Sequence, residues 1–130
     1  MVRLMIVCTL MLTTACIADK TVGGYGAADR VWTLTEVDGL PYPARATLSF
    51  PEYGQIAGQA PCNRYTGTMS APYPWFQTGP IAATRMACPD LAAETTFFEV
   101  LAQMNLSEVL DDTLILTNGT GREMVFKASE

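Results

Sequence analysis

Asp90-Leu91-Ala92-Ala93-Glu94-Thr95-Thr96-Phe97-Phe98-Glu99-Val100-Leu101-Ala102-Gln103-Met104 is the stretch that decides the architecture. Behind Leu91, its apolar residues Phe97, Phe98, Leu101 and Met104 recur at spacings of three and four, the period of one helix face. Asp90 stands where an N-cap belongs and Glu94 falls in the first turn, so both acids read as capping groups and the segment predicts an amphipathic helix of about four turns. On either side the period changes to two, the mark of half-buried strands. Downstream, 107–110, 113–117 and 122–128 alternate, joined by Asp111-Asp112 and by Asn118-Gly119-Thr120-Gly121, whose Asn-Gly is a strong hairpin signal. Upstream, 31–37, 46–50, 55–60 and 65–69 alternate in the same way, and Pro72 and Pro74 mark 73–77 as an edge strand or bulge. Six to eight antiparallel strands and one helix must together bury Trp32, Leu34, Leu48, Phe50, Phe97, Leu101, Leu114, Leu116, Met124 and Phe126. The expected fold is mostly β (α+β): a strongly curled antiparallel sheet or small β-barrel packed on a single α-helix.

Composition narrows the chemistry. The chain has 130 residues, 49% hydrophobic and 16% charged, and no histidine, so one domain is expected and Ser-His-Asp, Cys-His and His-metal sites are excluded. Eight basic against thirteen acidic residues leave a net charge of −5, the wrong sign for tracking nucleic-acid phosphates. Beyond the N-terminal region the lysines are Lys20 and Lys127, both near chain ends, which gives a Ser-Lys pair no credible site. The acids fall in pairs suited to a helix N-terminus (Asp90, Glu94) and a turn (Asp111, Asp112), without the cleft a glycosidase needs. No loop alternates oxygen ligands as a calcium site does. The expectation is a protein that is not an enzyme and holds no metal or cofactor.

Arg3 and the apolar run from Leu4 to Leu12 form a secretory signal, too short to span a bilayer as a helix. Cys16 after Thr13-Thr14-Ala15 resembles a bacterial lipobox, in which that cysteine is acylated and becomes the mature N-terminus, and this is the favoured reading; Thr13 and Ala15 would also suit ordinary signal peptidase and secretion. The expected organisation is a signal peptide at 1–15, a flexible glycine-containing tether at 16–29 without regular structure, and a folded domain at 30–130. By its similarity to sorted lipoproteins, Ile17 after the cysteine favours a lipid anchor in the outer membrane, facing the periplasm. Cys8 leaves with the signal. Cys62 and Cys88 then remain, and in an oxidising compartment they are expected to form a structural disulfide whose loop is worth about 3.5 kcal/mol on the chain-entropy model. The spacing is not that of a CxxC redox pair.

Gly58-Gln59-Ala60-Pro61-Cys62-Asn63-Arg64-Tyr65-Thr66-Gly67, followed by Thr84-Arg85-Met86-Ala87-Cys88, Glu94 and Phe97-Phe98, resembles the META domain of the HslJ type. The shared pattern is G-x-x-x-C-N-x-[FY]-x-G, then T-x-x-x-C, a helix opening on E-x-x-F and a final hairpin; Pro61 and Met69 depart from it. The resemblance spans residues 32–126 and carries Gly58, Asn63, Arg64, Tyr65, Gly67, Thr84 and Glu94 as motif positions. It implies a compact β fold around one helix, frequent among envelope lipoproteins linked to stress and antibiotic tolerance, with no established enzymatic activity.

Two clusters carry open alternatives. Asn63 and Arg64 either tie down a turn or offer the guanidinium to an anionic ligand. Tyr73, Trp75 and Phe76 either pack the core or line a hydrophobic mouth. At the level of function, the expectation is a non-catalytic binding or assembly module that recognises an apolar molecule or another envelope protein. The alternative is an inhibitor of a hydrolase such as lysozyme, a basic target that an acidic domain suits.

Overall fold

The computed structural model describes residues 18–129; the signal segment and Cys16 lie outside the described residues. A 3-10 helix (Val22–Tyr25) precedes β1 (Val31–Val37), β2 (Leu40–Pro41), β3 (Thr47–Ser49), β4 (Gln55–Gln59), β5 (Arg64–Thr68) and β6 (Ala82–Ala83). The helix α1 (Leu91–Gln103) follows, then β7 (Leu106–Leu110), β8 (Thr113–Thr117) and β9 (Glu123–Ser129). All pairings are antiparallel, in the order β6-β5-β4-β3-β1-β9-β8-β7, with β2 folded back on β1.

The alternation places one face of this sheet against α1. Trp32, Leu48, Leu114, Leu116, Met124 and Phe126 from the strands meet Phe97, Val100 and Leu101 from the helix, all fully buried or nearly so. The expected core is present residue for residue. Met69, which departs from the family pattern, is buried as an ordinary core residue.

Three expectations are corrected. First, the sheet is open: β6 and β7, its two ends, do not pair among the described residues, so neither a barrel nor a strongly curled sheet forms. Closure needs two free strand edges that meet. Here the outer edge of β7 is engaged by the loop between β5 and β6, through a Trp75–Leu106 bridge and a bond from Ser107 N–H to the Pro74 carbonyl (2.7 Å). Second, residues 73–77 form no strand and join the sheet through that single bridge, and the strand beside β5 is instead the two-residue β6. Third, the described part of the expected tether is packed. Thr21, Val22, Gly23 and Ala27 are buried, the Thr21 hydroxyl caps the 3-10 helix, and Trp32 Nε1 donates to the Ala27 carbonyl (2.9 Å). The glycines serve close approach here: a Cβ on Gly24 would lie 2.0 Å from the Asp19 carbonyl oxygen.

Candidate functional site

The family-motif residues converge where the β4–β5 turn, the β6–α1 loop and the first turn of α1 meet. Glu94 is turned inward, 5% exposed, and its Oε1 accepts the backbone N–H groups of Cys62 (3.0 Å) and Asn63 (2.8 Å). Its Oε2 accepts Asn63 Nδ2 (2.7 Å). Three N–H donors satisfy a carboxylate that burial would otherwise penalise. The expected capping role is therefore corrected: Asp90 holds the N-cap position without a side-chain cap bond, and Glu94 anchors the neighbouring turn rather than its own helix.

The Asn63 amide uses its full hydrogen-bonding capacity. Nδ2 donates to Glu94 and to the Met86 carbonyl (2.9 Å), while Oδ1 accepts the Met86 N–H (2.6 Å) and the Thr84 hydroxyl (2.9 Å). Asn63 thus acts as a surrogate strand for Met86. Thr84 is held a second time, its N–H donating to the Arg64 carbonyl (3.1 Å) and its Oγ1 accepting the Arg64 N–H (3.2 Å). A disulfide joins Cys62 to Cys88. Between these fixings residues 84–88 run without helix, turn or bend, and residues 84–87 are exposed, Met86 to 66%.

The glycine and tyrosine of the motif hold the turn from beneath. Tyr65 is buried against Phe97 and Phe98 (ring centroids 5.5 and 5.4 Å), and its hydroxyl donates to the Thr47 carbonyl (2.5 Å). A Cβ on Gly58 would lie 2.1 Å from that carbonyl oxygen and 2.7 Å from the Tyr65 hydroxyl, so a side chain there would force the strand backbone and the phenol to move. Burial pushes the Tyr65 phenol well above its ordinary range. Tyr42 donates to the Ala93 carbonyl (2.8 Å) in the first turn of α1. Its phenol is pushed up to about 12, by burial first and then by the charges of Glu94 and Asp90.

Arg64 is exposed and its side chain makes no hydrogen bond or ion pair among the described residues. It borders a shallow groove along β4, β5 and β6, lined also by Ala57, Thr66, Ala82 and Thr84, that runs into the loop. The three aromatics diverge. Phe76 is buried in the core, Tyr73 is half-buried and stacked on Tyr25 (4.6 Å), and Trp75 alone stands out, 58% exposed. Cys16 lies outside the described residues. The elements that sequence reasoning missed are Arg85 and Met86 as the exposed crest of the loop; the T-x-x-x-C spacing held them, but only Thr84 and Cys88 were singled out.

A META domain family model matches residues 27–130. No curated protein is detectably similar in sequence. Among solved structures, the chain is similar to a protein from Burkholderia xenovorans determined by NMR, at 21% identity and a TM-score of 0.68, with 90% of this chain and 93% of that one covered. It is also similar to a DUF4847 family protein from Bacteroides vulgatus, at 14% identity and a TM-score of 0.66, covering 82% and 96%. At these identities the likeness is one of fold.

Proposed function

Because the chain belongs to the META domain family, whose motif positions here build a held and exposed loop, we propose that it is a non-catalytic docking module of the bacterial envelope. The crest of loop 84–88 is its contact surface. The observation that carries this reading is the concentration of restraint beneath that loop: a fully bonded Asn63, itself held by the buried Glu94, and a disulfide fix a segment whose residues 84–87 are exposed. Preorganisation of this kind removes the ordering cost of binding. A loop that served only to connect β6 to α1 would not need it.

The module is lipid-anchored through Cys16, on the strength of the lipobox-like sequence, and faces the periplasm from the outer membrane. Two or more acyl chains make such an anchor stable. Its partner is another envelope protein, in support of tolerance to envelope stress. An apolar ligand is the weaker reading, since Tyr73, Trp75 and Phe76 do not share one mouth.

A photo-crosslinking side chain placed at Met86 in living cells tests this, with Leu40, 70% exposed at the start of β2, as the comparison position. Discrete crosslinked protein products from position 86 and none from position 40 are expected. Products absent from position 86, or equal from both, contradict the proposal.

A further inference from the structure

The geometry points to a specific partner class: we infer that loop 84–88 docks into the substrate cleft of a serine peptidase of trypsin-like specificity and blocks it, with Arg85 filling the specificity pocket. This rests on reading the loop as a docking surface and names what it docks with.

A substrate-like blocker of such a cleft must meet three physical requirements. Its segment must be held open without help from the enzyme, so that binding costs little ordering entropy. The residue entering the pocket must be free of its own protein. The residues flanking it must be tied down, so that a cut bond does not release the two ends.

Loop 84–88 meets each requirement. Thr84 is fixed through its hydroxyl to Asn63 and through its backbone to Arg64. Met86 is fixed through both its N–H and its carbonyl to Asn63, and Cys88 through the disulfide. Arg85 lies between the two Asn63 contacts, exposed, and its side chain makes no hydrogen bond or ion pair among the described residues. Arg85 is thus an exposed, unengaged residue between two flanks that are tied to the body of the protein.

Charge then selects the enzyme. A peptidase whose specificity pocket ends in a carboxylate, as trypsin's does, takes an arginine at this position. Hydrolysis of the Arg85–Met86 amide adds water across the bond, OH to the Arg85 carbonyl carbon and H to the Met86 nitrogen. Neither new terminus leaves, because the Thr84 and Met86 contacts to Asn63 and the disulfide bridge hold both sides. The loop therefore persists in the cleft instead of departing as product.

The test titrates the full chain, oxidised and in mild detergent, against trypsin cleaving a chromogenic arginine anilide. The expected result is competitive, near-stoichiometric loss of activity, with the Arg85–Met86 bond intact by mass spectrometry after prolonged incubation. Arg85→Ala should weaken inhibition by about 1,000-fold, as for the central anchor of an interface, with unchanged thermal unfolding, while Arg85→Lys retains it. Lys127→Ala, which removes an equal charge elsewhere, should change nothing. Absence of inhibition at micromolar protein, rapid cleavage after Arg85, or equal inhibition by Arg85→Ala overturns the inference. Crosslinks from position 86 to a protein that is not a peptidase, together with no inhibition, overturn it while the docking reading stands. Absence of both overturns the two together.

Discussion

Asn63 carries more of the site than any other side chain, because one amide satisfies Met86 twice, Thr84 once and Glu94 once. Asn63→Ala strips all four bonds and is expected to destabilise the fold by about 2 to 4 kcal/mol, measured by denaturant unfolding, with the larger values reached if Glu94 is left under-satisfied. Tyr42 gives a pH-dependent signature. Its phenol is raised in the folded state to about 12, so the stability it contributes is complete below the unfolded value near 10 and is lost as pH rises through about 12. Urea midpoints should therefore fall between pH 10 and 12, and Tyr42→Phe should flatten that decline. At the opposite limit, Asp38 is held below the usual carboxylate range, first by its bond with the Arg122 guanidinium and then by the Glu123 N–H. Its contribution is present above the unfolded value and fades as pH falls through the lowered one. These roles were only partly legible. Asn63 and Glu94 stand out as motif positions, yet an acid in a first helical turn has a default capping role, and nothing local in sequence says that it turns inward to a loop some thirty residues upstream.

The strands and the helix were legible where they are long and periodic. Val31–Val37, Thr113–Thr117 and the helix announce themselves by their alternation or their three-four spacing, and Asn118-Gly119 fixes the last hairpin. Ala82–Ala83 was not legible, since two small residues carry no period and exist as a strand only because Tyr65 and Thr66 lie opposite. The glycine-rich N-terminal segment misled for a physical reason: glycine permits flexibility and close packing alike, and here it permits packing. Gly58 shows the same use inside a strand. Gly58→Ala must displace both the Thr47 carbonyl and the Tyr65 hydroxyl, and should lower stability by about 2 to 3 kcal/mol in thermal or denaturant unfolding. Reduction of the Cys62–Cys88 bridge should lower it by about 3.5 kcal/mol on the chain-entropy model, measured by unfolding with and without reductant.

Seen as a whole, the molecule is an open antiparallel sheet closed on one face by α1. Alternation revealed which side chains face the core but not whether the ends meet, because closure depends on free edges and the edge of β7 is already occupied. With packing established by Thr21, an acyl-anchored Cys16 would leave five residue steps to the buried body, about 17 Å at full extension, so the domain would sit close to the bilayer. Cys16→Ser should accordingly move the protein from the membrane to the soluble fraction; an unchanged distribution would remove the anchor. The docking role depends on loop 84–88 being held before any partner arrives. Residue-resolved amide hydrogen exchange of the isolated, oxidised protein measures this directly. The Met86 amide, donated to Asn63, should exchange at least about 100-fold more slowly than those of its neighbours Arg85 and Ala87, and lose that protection in Asn63→Ala. Exchange at Met86 as fast as at Arg85 would show a loop that is not preorganised and would contradict the docking role built on it.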